Sequence, residues 1–140
     1  MAEYIIEADG GSRGNPGIAG SGAVVCDNTG KVLAEIGRYV GHATNNVAEY
    51  TGLVSGLEWL FQHDADASVT VKMDSKLVVE QMSGRWKIKH PDMQKKALEA
   101  RELLRGKNAK FVWVPRLENA RADAVANTVM DSKQSFVNTY

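Results

Sequence analysis

Four carboxylates stand out in this 140-residue sequence for where they fall: Asp9, Glu49, Asp74 and Asp123. Asp9 follows an apolar run, Tyr4-Ile5-Ile6, and precedes a glycine-rich stretch, Gly10-Gly11-Ser12-Arg13-Gly14-Asn15-Pro16-Gly17. Asp74 closes an alternating run, Ser68-Val69-Thr70-Val71-Lys72-Met73. Glu49 lies four residues before Leu53 and eight before Leu57, on the inward side of a predicted helix. Asp123 lies among Ala122, Ala124, Val125 and Ala126 in the last predicted helix. Singly, each has an ordinary reading as a turn residue, a helix cap or a solvent-facing acid. Together they would repel one another unless a cation neutralised them. No His or Cys cluster accompanies them. An all-oxygen ligand set selects hard cations, Mg²⁺ or Mn²⁺, over zinc. Two such ions about 3.5–4 Å apart can activate a water and stabilise the leaving oxygen of an in-line phosphoryl displacement.

The elements that must bring them together can be read from periodicity and turn chemistry. A first strand runs through Tyr4-Ile5-Ile6, with Asp9 at its end. Ala19 to Asp27 and Lys31 to Val40 read as the second and third strands, joined by the turn Asp27-Asn28-Thr29-Gly30. The short connections make these three an antiparallel meander. A helix opens at Thr44-Asn45-Asn46, with Asn46 and Glu49 at capping-box spacing, and runs to about Gln62 with Leu53, Leu57 and Leu60 on its apolar stripe. Ser68 to Asp74 is a fourth strand, followed by a short helix from Ser75. A strand–helix–strand crossover sets parallel neighbours with their C-terminal ends at one edge, so Asp9 and Asp74 meet if strands one and four are neighbours. Pro91 starts another helix, to about Arg105. Lys110 to Val114 is a fifth strand, Pro115 to Asn119 a loop and Ala120 to Asp131 the final helix. Ser132 to Tyr140 reads as a polar tail or the start of a linker. The expected organisation is one domain over residues 1–131.

Composition narrows the class. The net charge is zero, but the charges are segregated. Residues 1–71 carry three basic and nine acidic side chains, and residues 84–116 carry ten basic and three acidic ones. That asymmetry suggests an acidic site beside a basic surface able to hold a polyanion, with Trp86 available to stack on a base or sugar. Cys26 is the only cysteine, so an intramolecular disulfide and a cysteine-cluster zinc site are excluded and a reducing cytoplasm is the expected setting. It lies in an apolar run and reads as a small buried hydrophobe. No apolar run approaches the roughly 20 residues of a membrane span, and the N-terminus is not read as a secretory signal.

The motifs Asp9-Gly10-Gly11 with Asn15-Pro16-Gly17, Thr44-Asn45-Asn46-Val47-Ala48-Glu49-Tyr50, Asp74-Ser75, Trp113-Val114-Pro115-Arg116 and Asn119-Ala120-Arg121-Ala122-Asp123 occur in order over roughly residues 3–131. In this the chain resembles ribonuclease H type 1. The resemblance implies an α/β fold with a five-stranded mixed sheet, three antiparallel strands then two parallel ones, flanked by helices. It implies an endoribonuclease that hydrolyses the RNA strand of RNA–DNA hybrids, leaving 3′-hydroxyl and 5′-phosphate ends. Asp9, Glu49, Asp74 and Asp123 would be the catalytic carboxylates, holding two Mg²⁺ or Mn²⁺ ions per site. Gly10 and Gly11 would let the substrate backbone approach. Asn15, Asn45 and Asn46 would contact the hybrid, since an amide can both donate to and accept from a 2′-hydroxyl. Thr44 would join a pocket for a DNA-strand phosphate, and Trp86 would line the DNA-binding channel.

The chain departs from the family pattern in three places. The basic protrusion some members carry is short here, around Arg85 to Lys96. The loop before the last catalytic Asp holds no His, and Arg116 could meet the scissile phosphate or the product instead. Position 76 is Lys where some relatives have Gln, a point charge rather than a bidentate reader. Two other readings stand beside the leading one: a non-catalytic hybrid-binding module, and a DNA nuclease of the same superfold. The expected partner is an RNA–DNA hybrid. No membrane is expected as a partner. The protein is expected to act as a monomer, and a further C-terminal domain in a longer protein is allowed for.

Overall fold

The computed structural model describes residues 2–140. Its elements follow in the order β1 (Glu3–Arg13), β2 (Gly17–Asp27), β3 (Val32–Ala43), α1 (Asn45–His63), β4 (Ser68–Met73), α2 (Lys76–Met82), α3 (Pro91–Leu104), β5 (Asn108–Trp113), a 3₁₀ turn (Arg116–Asn119), α4 (Ala120–Ser132) and β6 (Phe136–Thr139). The strands form one mixed sheet in the order β5-β4-β1-β2-β3-β6. β1, β2 and β3 are the expected antiparallel meander. β4 lies parallel to β1, and β5 parallel to β4.

The sheet is covered on both faces. On one face, Ile6, Ala8, Val25 and Val71 pack against Leu53, Leu57 and Leu60 of α1, with Met93, Ala97 and Ala100 of α3 in the same cluster. The three leucines of α1 are fully buried, each contributing about 1.5–3 kcal/mol relative to exposure. On the other face, Val24 and Cys26 meet Ala122 and Val125 of α4. β2 is therefore buried over most of its length, and its Gly-Ala-Ser composition follows from helices pressing on it from both sides. A Cβ at Gly22 would stand 2.4 Å from the Ala122 carbonyl oxygen, so only glycine lets α4 dock this closely.

Four expectations need correction. The sheet has six strands, not five. The sixth comes from residues that read as a polar tail: Phe136 to Thr139 pair antiparallel with Ala34 to Gly37 at the free edge of β3. Asp9 does not end its strand, because Gly10 to Arg13 continue to pair with Ser21 to Ile18 of β2. What ends near Asp9 is the parallel pairing with β4, recorded only as far as Glu7–Lys72. Helix α1 is capped by Thr44, whose Oγ1 accepts from the Val47 N–H at 3.3 Å, rather than by an Asn46–Glu49 box. The loop before α4 contains a 3₁₀ turn. Among the described residues no helix is long and apolar enough to cross a membrane.

Candidate active site

Each of the four acids reaches the site by a different route. Asp9 lies on the α4-facing side of β1, opposite Gly22. Asp74 follows β4, and extending the parallel register of Glu7 with Lys72 sets it beside Asp9. Glu49 is one turn into α1, and glycines bring that turn down onto the sheet. A Cβ on Gly10 would fall 2.2 Å from the Ala48 carbonyl carbon, and one on Gly52 would fall 2.5 Å from the Asp9 carbonyl oxygen. Gly10, which reads as part of a turn signal, and Gly52 of α1 are thus the seat on which α1 delivers its glutamate. Asp123 comes from the first turn of α4.

All four line one open cleft of about 430 Å³, together with Gly10, Gly11, Asn45 and Arg116. The crowding is visible in their protonation. Asp9 is pushed up to about 8, first by burial and then by the charge of Asp74, with a hydrogen bond to Asp123 adding to the effect against the Gly10 backbone N–H. Glu49 is pushed up to about 7, chiefly by burial, with the Ser75 hydroxyl pulling the other way and the Asp74 charge adding to the rise. Such a set holds protons near neutrality unless a cation replaces them. The oxygen-only donors suit Mg²⁺ or Mn²⁺. Among the described residues no three of these acids already close into a cage for an ion. Mg²⁺ in general binds through one or two carboxylates and completes its shell with waters and substrate phosphate oxygens.

Two neighbours hold the acids in place, and neither figures among the expected site residues. Asn119 is fully buried, and its Nδ2 donates to Asp74 Oδ1 at 2.8 Å and to the Ala8 carbonyl at 2.9 Å. Its Oδ1 is a buried acceptor without a partner. Ser75 caps α2 by accepting from the Val78 N–H at 3.3 Å, while its hydroxyl also reaches Glu49. Both belong to the ordered motifs, but an Asn before a helix and a Ser after an Asp carry the same signal as ordinary caps.

The family model described as "Reverse transcriptase-like" matches residues 7–129. The Ribonuclease H of Hydrogenovibrio crunogenus is 33% identical over 146 residues, covering 94% of this chain and 97% of that protein. The chain belongs to the ribonuclease H family.

Within that family its likeness is to type 1 ribonucleases H. The bifunctional protein Rv2228c of Mycobacterium tuberculosis is 54% identical over 133 residues, which take in 93% of this chain and 36% of that protein. The chain thus spans about a third of the length of the curated relatives of this group. The N-terminal RNase H domain of Rv2228c, solved as a fusion protein, superposes with a TM-score of 0.90 at 52% identity, covering 94% of this chain and 96% of that one. LC11-RNase H1, solved in complex with an RNA/DNA hybrid, superposes with a TM-score of 0.88 at 42% identity, covering 93% and 98%.

The remaining expected substrate residues of this ribonuclease H domain are spread more widely than the acids. Asn45 lines the cleft, and its backbone N–H donates to Asn15 Oδ1 at 3.2 Å, tying the β1–β2 turn to the start of α1. Asn45 Oδ1 accepts from the Asn46 N–H, and Thr44 is engaged as the cap. Asn15, Thr44 and Asn46 therefore flank the cleft rather than line it. Arg116 is largely exposed at the rim, its Nη2 3.9 Å from Asp123 Oδ1. Lys76 is not among the cleft's lining; its Nζ lies 5.9 Å from the centre of the Trp113 ring. Trp86 lies apart from the acids, half-exposed in a separate groove with Lys87, Ile88, Gln94, Leu98 and Arg101. Arg13, Asn127 and Met130 line the cleft without having been expected there. Arg13 is held at its mouth by Asp131 at 2.6 Å.

Proposed function

We propose that this chain is an endoribonuclease that hydrolyses the RNA strand of RNA–DNA hybrids. The observation that carries this reading is the convergence of Asp9, Glu49, Asp74 and Asp123 from four elements on one cleft, in a chain of the ribonuclease H family. A merely hybrid-binding module would have no need to crowd four acids against their own repulsion. Divalent ions, two per site and held by these carboxylates, would neutralise them and supply the Lewis acidity for displacement at phosphorus, leaving 3′-hydroxyl and 5′-phosphate ends.

The chain's own groups do the rest. Asn119 and Ser75 orient Asp74 and Glu49, so that less ordering remains for the moment of reaction. Gly11 adds no side chain to the cleft lining, and Gly10 makes room for α1 beside it. Asn45, supported by Asn15 and followed by Asn46, offers amides for a 2′-hydroxyl and the adjoining backbone, which distinguishes RNA from DNA at that position. Thr44 would add a hydroxyl for a DNA-strand phosphate beside the same helix start. Arg116 at the rim and Lys76 beyond it would meet phosphates, and Trp86 with its lysine neighbours would carry the DNA strand away from the site.

The test is cleavage of a labelled RNA–DNA hybrid with Mg²⁺ or Mn²⁺, with double-stranded RNA and double-stranded DNA as controls. Hybrid cleavage confined to the RNA strand is expected. Hybrid binding without cleavage in either metal would overturn the enzyme reading, and cleavage of duplex DNA would favour a DNA nuclease.

A further inference from the structure

Arg121 and Glu7 have no part in the chemistry above, yet they join the two elements that carry Asp123 and Asp9. Arg121 precedes Asp123 by two residues at the start of α4. Glu7 precedes Asp9 by two residues on β1, so both acids leave the same face of the strand. The guanidinium grips the carboxylate as a fork, Nε to Oε1 at 3.0 Å and Nη2 to Oε2 at 2.7 Å. Two parallel bonds fix orientation as well as distance. Glu7 is only 8% exposed, and a carboxylate so nearly removed from water needs its partner. Arg121 Nη2 also lies 3.4 Å from Cys26 Sγ, which steadies the fork from β2.

One other side chain ties the start of α4 to the sheet. Its N-cap, Asn119, makes no side-chain capping bond and instead donates to the Ala8 carbonyl of β1 and to Asp74. The packing of Ala122 and Val125 on Val24 and Cys26, with Gly22 beneath Ala122, seats the helix on β2 rather than on β1. The fork ties the first turn of α4 directly to the face of β1 that carries Asp9.

We infer that the Arg121–Glu7 ion pair is a positioning element that, together with Asn119, sets the spacing of Asp9 and Asp123, and through it the affinity of the cleft for a divalent cation. The inference rests on the cleft being the metal-dependent site proposed above. Breaking a pair whose carboxylate is buried costs stability as well. Metal affinity separates that cost from the effect on register.

The experiment is Mn²⁺ binding to the substrate-free protein by calorimetry, alongside hybrid kcat and KM as a function of metal concentration. The variants are Glu7→Gln, Arg121→Gln, Arg121→Lys and the double Glu7→Gln/Arg121→Gln. Arg121→Gln is expected to raise the Mn²⁺ dissociation constant about tenfold, the scale seen when a group behind a metal ligand is lost. The metal-activation midpoint should shift equally, with hybrid KM at saturating metal unchanged. The double variant should bind metal no more weakly than Arg121→Gln, because both changes break one interaction. Arg121→Lys should recover only part of the affinity, since an ammonium cannot form the fork, and it serves as the test should Glu7→Gln fail to fold. A purely structural pair would lower the unfolding midpoint and leave Mn²⁺ affinity unchanged, which would overturn the inference. A wild type that binds Mn²⁺ and cleaves hybrid, with variants that bind Mn²⁺ equally well, overturns the clamp alone. A wild type that does neither overturns the proposed function and the clamp with it.

Discussion

Asn119, itself without solvent access, and half-buried Asp74 meet through a 2.8 Å hydrogen bond, and the same amide nitrogen donates to the Ala8 carbonyl one residue before Asp9. One side chain therefore references two of the four acids to each other. Replacing Asn119 with Ala should cost about 1–3 kcal/mol of stability, because the Ala8 carbonyl is left unpaired in a buried place. Activity should fall while hybrid affinity holds. Denaturant unfolding and single-turnover cleavage check the two halves separately.

Asp74→Asn should abolish cleavage while leaving hybrid affinity within about threefold, less than 1 kcal/mol. The variant keeps the shape of the side chain and an oxygen for Asn119, and removes the charge that faces both Asp9 and Glu49. Gel-shift binding and cleavage of the same labelled hybrid, measured side by side, decide it. Normal turnover would mean that the site lies elsewhere.

Without metal, stability should fall as pH rises from about 4 to about 8 at this site. Asp9 titrates at about 8 and Glu49 at about 7 in the fold, against ordinary carboxyl values near 4 in the unfolded chain. Between those limits the folded state binds more protons than the unfolded one, so raising the pH favours unfolding. The contribution is complete below the unfolded values and is lost as pH passes through the folded ones. Asp27 and Glu80, held low by the Thr29 hydroxyl and the Arg85 guanidinium, act in the opposite sense at acid pH, so the comparison is between wild type and Asp9→Asn. In EDTA, the fall in Tm from pH 5 to pH 8 should be smaller in Asp9→Asn. Adding Mg²⁺ at pH 8 should raise the wild-type Tm and leave Asp9→Asn little changed.

The basic loop is tied to the helix that carries Glu49. Buried Tyr50 donates to Gln81 Oε1 at 2.7 Å, and Gln81 Nε2 donates to the Lys87 carbonyl at 3.2 Å, next to Trp86. Tyr50→Phe leaves that amide oxygen without its partner and should cost about 1–3 kcal/mol. If the loop carries the DNA strand, hybrid KM should rise more than kcat falls. An unchanged KM would separate the loop from substrate binding.

How much of this was legible in the sequence depends on how local each signal is. The three-strand meander, the parallel crossover and the leucine stripe of α1 all announce themselves within short windows. The four acids could be found because each stands at the edge of such a window. The seat beneath α1 could not be read in this way. Gly10 and Gly11 signal a turn in any local reading, yet both pair with β2, and the close approach of Ala48 and Glu49 to Gly10 comes from far along the chain. Asn119 and Ser75 were present in the motifs but looked like caps, because their second partners come from other elements. Residues 136–139 alternate too weakly to read as a strand, with only Phe136 partly buried, and their pairing is dictated by the edge that β3 leaves free.

That last strand changes how the molecule meets its neighbours. β3 is the longest strand, and without β6 its outer row of amide and carbonyl groups would be open to any passing extended chain. Phe136 to Thr139 occupy that row from Ala34 to Gly37, Ser135 Oγ takes the Tyr39 N–H, and the Tyr140 N–H donates to the Leu33 carbonyl. Over that stretch the outermost strand is then β6, only four residues long, and a short edge is a poor template for strand addition. A stretch that contributes almost nothing to the core thus serves as a hem over the middle of the longest strand.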